Sequence, residues 1–210
     1  MEKKNLICFL GMMQTGKDYN SKPYLNLGFK KIALADSLRD MLWEIIGFSP
    51  NRDIPYDEYK KCILTTKIKT NKLCFIPWIK NIKITTIRKM MQNIGSVMKK
   101  YFGQDFWVNL WVDKVLKSKC DVVCTDIRFV NEILKAMSLN NKGYNVTFIW
   151  VCYKNADFDN ILKQKHESEA LSQFIYYNRD KYRLHDGCII KEDVLKRILE
   201  DFEKTKKFSF

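Results

Sequence analysis

The feature that most constrains this chain is the apolar run Leu6–Leu10, which ends directly on Gly11-Met12-Met13-Gln14-Thr15-Gly16-Lys17-Asp18. The run has no helical period, as expected of a buried parallel strand. Gly11 and Gly16 bracket four residues and Lys17 follows, the G-x-x-x-x-G-K spacing of a phosphate-binding loop. The spacing has a mechanical basis. Consecutive backbone N–H groups turn inward as a nest for phosphate oxygens, and the glycines let the backbone pass that close. A helix beginning near Gly16 adds its positive dipole end, and Lys17 reaches the outer phosphates. The loop candidates are Gly11, Gln14, Thr15, Gly16, Lys17 and Asp18. Asp18 stands where such loops usually carry a Ser or Thr whose hydroxyl binds Mg²⁺. A carboxylate there is either an oxygen ligand for Mg²⁺ or its waters, or a helix-start acid stabilised by the dipole. Pro23 falls in the second turn, which predicts a kink or a short first helix closed near Gly28.

Past the loop, strand-like and helix-like stretches alternate. Lys31–Ala35, Asp121–Thr125, Val146–Tyr153 and Cys188–Lys191 are further short apolar runs. Between them, Ser37–Ile46, Ile87–Tyr101, Asp105–Leu116, Val130–Leu139 and Glu192–Phe202 carry apolar residues at helical spacing. Such alternation implies right-handed crossovers and a sheet covered on both faces. The expected fold is therefore α/β, a three-layer α/β/α domain of the P-loop NTPase kind with a parallel sheet of about five strands. Residues 1–210 read as one domain, because the length suits a single core better than two. Two stretches break the alternation. Residues 49–86 contain Pro50, Pro55, Pro77 and many lysines, and read as an insertion or substrate-side subdomain. Residues 154–186 are polar, aromatic and charged, and read as a lid region.

Composition narrows the setting. No apolar run approaches the ~20 residues of a membrane span, and the apolar stretch before Gly11 is too short for a signal-peptide core. A cytoplasmic setting without a membrane partner is expected. The 7 cysteines form no C-x-x-C pair and several lie inside strand-like runs, so they read as core thiols in a reducing compartment. With only 2 histidines, a zinc site lacks its ligands. The net charge of +13 suits a polyanionic partner, either nucleotide phosphates or nucleic acid. The lysines are scattered along the chain, so charge alone does not choose between them.

The order of motifs resembles that of phage-type deoxynucleoside monophosphate kinases, small enzymes of viral origin whose loop usually ends in Gly-Lys-Asp. The likeness continues at Phe29–Arg39 (FKKIALADSLR), Arg88–Gly95 (RKMMQNIG), Gln104–Val108 (QDFWV), Asp126–Glu132 (DIRFVNE) and His166–Glu169 (HESE). Collinear matches span most of residues 6–200, with 49–86 largely unmatched. The resemblance implies transfer of the ATP γ-phosphoryl group to a deoxynucleoside 5′-monophosphate, with ATP and Mg²⁺ required. A virus-derived enzyme of this kind works in the host cytoplasm, and a homodimer is left open.

Phosphoryl transfer is mostly positioning and charge neutralisation, so it needs cations more than a nucleophile. Lys17 supplies one and Arg128, just past the third strand, another at the edge where α/β ligands bind. Asp126 is expected to hold Mg²⁺ through water or to orient Arg128; a plain Asp–Arg salt bridge is the alternative. By resemblance Asp36 and Ser37 contact the monophosphate, although Asp36 also suits a helix N-cap. Arg88 and Gln92 share a helix face four residues apart, a phosphate binder beside an amide able to read a base edge. By resemblance Trp107 is a candidate for the base pocket, Asn131 and Glu132 for base or sugar contacts, and Glu169 in His166–Glu169 for lid positioning or substrate contact, a simple helix start being the alternative. Arg179 and Arg183 fall where such kinases keep a lid over the donor phosphates. Two other readings stand beside this one. The loop also serves kinases of other small phosphate acceptors, and the charge with its interspersed aromatics permits a nucleic-acid-binding or regulatory protein on a kinase fold.

Overall fold

The computed structural model describes residues 3–46, 87–152 and 167–207, the side chains of 43–46, 87–90 and 206–207 excepted. The expected insertion at 49–86, apart from the Ile87 helix that follows it, and the 154–166 half of the expected lid lie outside these residues. The chain divides into two compact units, Met1–Leu34 with Trp111–Phe210, and Ala35–Leu110.

The first unit is built on a five-stranded sheet in the order β2-β3-β1-β4-β5. β1 (Lys4–Leu10) is central and runs parallel to β3 (Val122–Cys124) on one side and β4 (Tyr144–Trp150) on the other. β2 (Lys30–Lys31) extends the sheet parallel to β3. Seven α-helices are present among the described residues, and the fold is α/β, compatible with a three-layer arrangement. The continuous apolar runs are explained by burial on both faces: Leu6 to Leu10 and Val122 to Cys124 are all buried. On one face Ile7, Phe9, Val123, Ile149 and Val151 pack together, and Tyr24 of α1 (Lys17–Asn26) and Phe29 cover them. Tyr24 meets the Phe9 ring edge-on at 5.9 Å between centroids. No helix of the described residues is long and apolar enough to cross a membrane.

Two expectations need correction. The sheet is not wholly parallel, because β5 (Ile189–Ile190) pairs antiparallel with β4. Gly187, at φ 74, donates its N–H to Trp150 O, and Trp150 N–H donates to Cys188 O. That turn feeds the chain into the sheet from the loop edge, where a parallel strand would enter from the opposite one. The strand expected over Lys31–Ala35 has only its first residue in the ladder. Ile32 N–H still reaches Val123 O, but at Leu34 the acceptor is the Asp126 carboxylate, which draws the chain out of the sheet. As expected, the first helix is short, ten residues with Pro23 inside it, and closes at Gly28 with φ 90.

The second unit holds α2 (Asp36–Ile46), α3 (Ile87–Phe102) and the start of α4 (Phe106–Leu116). Leu42, Met91, Ile94 and Trp107 form its core, with Leu38, Met41, Met98, Phe106 and Leu110 against them. The helical spacing read from the sequence accounts for these contacts. In the first unit, α5 (Val130–Ser138), α6 (Glu167–Tyr177) and α7 (Glu192–Lys207) follow β3, β4 and β5 in turn. Phe174 of α6 and Phe202 of α7 meet at 5.4 Å between ring centroids.

Candidate functional site

Because β1, β3 and β4 are parallel, their C-terminal ends open on one edge of the sheet. Gly11–Asp18, Thr125–Arg128 and Val151–Cys152 leave the strands there. Gly11 has φ 151 and lies so close to β4 that a Cβ would sit 2.2 Å from Val151 O. Only glycine fits that approach. Gln14 and Gly16 also have positive φ, 62 and 87, so the chain curls before α1 begins at Lys17.

Within the curl, Lys17 is 7% exposed and its ammonium folds back over the loop. Its Nζ donates to Gly11 O at 2.7 Å and to Met12 O, which also accepts from Thr15 Oγ1 at 2.9 Å. The Met13 N–H donates to Glu169 Oε2 at 2.9 Å. Among the described residues, the amides of Thr15, Gly16, Lys17 and Asp18 meet no protein acceptor. Burial draws the Lys17 ammonium down from 10.5 to about 8, with the Arg128 charge adding to the effect; Glu169, Asp18 and Asp126 oppose it.

Asp18 occupies the first turn of α1. Its Oδ1 accepts from Lys31 Nζ at 2.6 Å and from Thr125 Oγ1 at 2.7 Å. Partial burial pushes its pKa up, but these two donors outweigh it and hold the carboxyl below its ordinary value. Asp126 does not pair with Arg128 through its Oδ1, which accepts from Leu34 N–H at 2.9 Å and from the Cys124 thiol at 3.2 Å. Burial, aided by the Asp126 charge, raises both the Cys8 and the Cys124 thiols, so they stay protonated as core groups. No cluster of three or more His, Cys, Asp or Glu suited to a metal occurs among the described residues.

Arg128 leans toward α6. Its Nη1 donates to Glu169 Oε1 and, at 3.4 Å, to Ser168 Oγ. Glu169 is 3% exposed and divides its two oxygens between Arg128 and the loop amide of Met13. Glu132 Oε2 accepts from the Arg128 and Phe129 N–H groups at 2.7 and 3.0 Å, in the manner of an acid reaching back over a helix start. Both acids, expected to contact substrate, hold the backbone or side chain of Arg128 here. Asn131 lies half-buried one residue earlier on the same helix. Arg179 donates to Tyr176 O at 2.8 Å and stacks 4.4 Å from the Tyr176 ring centroid. Arg183 is exposed, at φ 54, beside a cavity of about 300 Å³ that Lys181, Tyr182, Val194 and Arg197 also line.

The remaining candidates belong to the second unit. Asp36 Oδ1 accepts from Arg39 Nη1 at 2.7 Å, and Ser37 is buried beside it in sequence. Gln92 is exposed on α3, and the Arg88 side chain lies outside the described residues. Trp107 is buried, and its indole N–H donates to Gly95 O at 3.0 Å, so its ring is part of this unit's core. Sequence reasoning passed over Thr125, Lys31, Ser168 and the Met13 amide. Thr125 had a signal, a hydroxyl residue one place before Asp126 at a strand end; Lys31 and Met13 had none. No protein-family model matches the sequence, and no curated protein is significantly similar to it.

Proposed function

We propose that this chain is an ATP-dependent kinase that transfers the γ-phosphoryl group of ATP to a deoxynucleoside 5′-monophosphate. The observation that carries the reading is the curl at Gly11–Asp18: a buried ammonium and four successive amides that meet no acceptor among the described residues, at the head of a helix. Such a concavity is complementary to phosphate oxygens by both hydrogen bonding and charge. Buried cations are expensive unless matched, and burial lowers the Lys17 pKa despite Glu169, Asp18 and Asp126 nearby, which suits an ammonium that gains from an added anion. The choice of acceptor rests on the motif order from Gly11 to Glu169, which resembles that of phage-type deoxynucleoside monophosphate kinases.

In this reading the amides of Thr15 to Asp18 and the Lys17 ammonium bind the donor's phosphates, and Arg128 neutralises charge on the group in flight. A bound Mg²⁺ would supply charge neutralisation at the phosphate oxygens, and Asp18 and Asp126 would hold it. The residues fit a magnesium ion that keeps most of its waters, because Asp18 offers a largely exposed carboxylate beside the Thr125 hydroxyl, with Asp126 on the same strand end. Asp36, Ser37, Arg88 and Gln92 remain the acceptor-side candidates.

The test is ADP release coupled to turnover, measured with dTMP, dGMP, dCMP and dAMP in turn. Stimulation by at least one of them, abolished by Lys17→Ala, is expected. Turnover with another small acceptor and none with any monophosphate refutes the nucleotide assignment. Salt-sensitive DNA binding that persists in Lys17→Ala, without kinase activity in the parent, replaces it with the binding-protein reading.

A further inference from the structure

We propose that Glu169 is a positioning residue that ties the phosphate-binding loop to Arg128, and is not itself a substrate contact. The inference rests on the phosphotransfer reading and deepens it. A carboxylate inside a site for polyanions works against binding, and a buried one is tolerated only when its charge and lone pairs are matched. Glu169 meets both conditions with groups of the phosphate site itself. One oxygen accepts from the Met13 amide at 2.9 Å and the other from Arg128. Both ends of the carboxylate therefore answer to the same chemistry, which an acid that merely fastens α6 to the sheet has no reason to do. Ser168, one residue earlier, adds a second acceptor for Arg128 at 3.4 Å. The Ser168–Glu169 pair at the start of α6 is a cradle for that guanidinium.

The loop contacts give the tie its purpose. Lys17 and Thr15 brace the carbonyls of Gly11 and Met12 from inside the curl. Glu169 braces the next residue, Met13, through its amide. The first half of the loop is thus fixed, and the second half, Thr15 to Asp18, keeps its amides for phosphate. Fixing Arg128 with the same carboxylate sets the guanidinium in register with those amides before substrate arrives. Preorganisation of this kind acts on the chemical step more than on ground-state binding.

The experiment is a double-mutant cycle on the full chain, using Glu169→Gln, Arg128→Met and the pair, with ADP·Mg²⁺ binding measured alongside dNMP phosphorylation. Glu169→Gln keeps the length and an acceptor for Met13, but turns an amide or an uncharged oxygen to Arg128. The expected result is a kcat lowered about tenfold or more with KM for ATP within about threefold, and a further change of less than about twofold when the substitution is made on Arg128→Met. Glu169→Asp, whose shorter arm does not span both partners, is expected to lose as much as Gln. A kcat within about twofold of the parent in Glu169→Gln overturns the proposal, and so does an equal loss in both backgrounds, which marks a role independent of Arg128. Should Glu169→Gln fail to fold by circular dichroism, Ser168→Ala with Glu169→Asp takes its place in the cycle, and the same two outcomes decide. Failure of the underlying reading looks different: ADP·Mg²⁺ then binds neither the parent nor Lys17→Ala, or binds both alike, and the positioning role falls with it.

Discussion

Lys17→Met is expected to make the ligand-free protein more stable while removing its activity. The side chain keeps its length and apolar stem but loses the charge that burial penalises. The fall from 10.5 to about 8 corresponds, at ~1.4 kcal/mol per pH unit, to about 3 kcal/mol against folding while both states carry the proton. Against this, the variant loses the ammonium's bond to Gly11 O, worth about 1 kcal/mol, whereas Met12 O retains its bond from Thr15. The net gain at pH 7 is about 2 kcal/mol. The pH dependence identifies the cause. A lysine whose folded pKa lies below its unfolded one destabilises fully below about pH 8, and the penalty fades between about 8 and 10.5, where only the unfolded chain holds the proton. Parent and variant should therefore converge in stability as pH rises through that window. Urea denaturation of both proteins at pH 7 and at pH 10 measures the difference, and subtracting one from the other cancels every other titrating group. A variant less stable than the parent at pH 7, or a difference that does not change with pH, refutes the account. In the proposed reading phosphate adds negative charge beside Lys17, so ADP binding to the parent above pH 8 should take up a proton, read as a buffer-dependent heat in calorimetry.

Three further outcomes are expected. Gly11→Ala places a Cβ 2.2 Å from the Val151 carbonyl and 2.9 Å from Thr15 Oγ1, so it should abolish ADP binding, whereas Gly28→Ala, with nothing within 4 Å, should cost about 1 kcal/mol of unfolding free energy and leave binding intact. Trp111→Phe removes the donor from the buried Ile32 carbonyl, now bonded at 3.0 Å, and should lower stability by about 1–3 kcal/mol in chemical denaturation; a change below about 0.5 kcal/mol contradicts that bond's role. Asp18→Asn keeps an acceptor for Thr125 but not a charge for Mg²⁺ or Lys31, and should raise the magnesium concentration for half-maximal activity about tenfold. An unchanged magnesium dependence argues against a metal role at Asp18.

What the sequence disclosed, and what it hid, follows from how local each cause is. β1, β3 and β4 were legible because strands covered on both faces must be continuously apolar, as Leu6–Leu10 and Val122–Cys124 are. The direction of β5 was not, because two isoleucines pair equally well either way and the turn at Gly187 decides. The early end of β2 depended on Asp126, 92 residues away from Leu34, taking over a ladder position. The curl of the backbone was readable from Gly11 and Gly16, since its positive φ values favour glycine. The partners of Glu169 were hidden because they lie 41 and 156 residues off, at Arg128 and Met13. Trp107 shows the reverse case: its place in a family-like segment suggested a base pocket, while its ring packs in the second unit's core and its indole N–H bonds Gly95 O.

The departure at position 18 has a physical counterpart elsewhere in the unit. In the proposed reading, a loop that ends in Asp lacks the hydroxyl such loops commonly offer, and Thr125 at the end of β3 bonds Asp18 Oδ1 through its own at 2.7 Å. Lys31 approaches the same oxygen from β2. Three neighbouring elements thus converge on one carboxylate, with a hydroxyl, an ammonium and a helix start. In the proposed reading, Asp18 and the Thr125 hydroxyl that bonds it would together hold the cation, where a Ser or Thr would do so alone. Lys31 neutralises Asp18 at 2.6 Å, and in that reading it would share the carboxylate with a bound divalent ion. A loop with two carboxylates at its margins, Asp18 and Glu169, repels phosphate unless each is paired. Lys31 and Arg128 are the cations that make both acids compatible with an anion site.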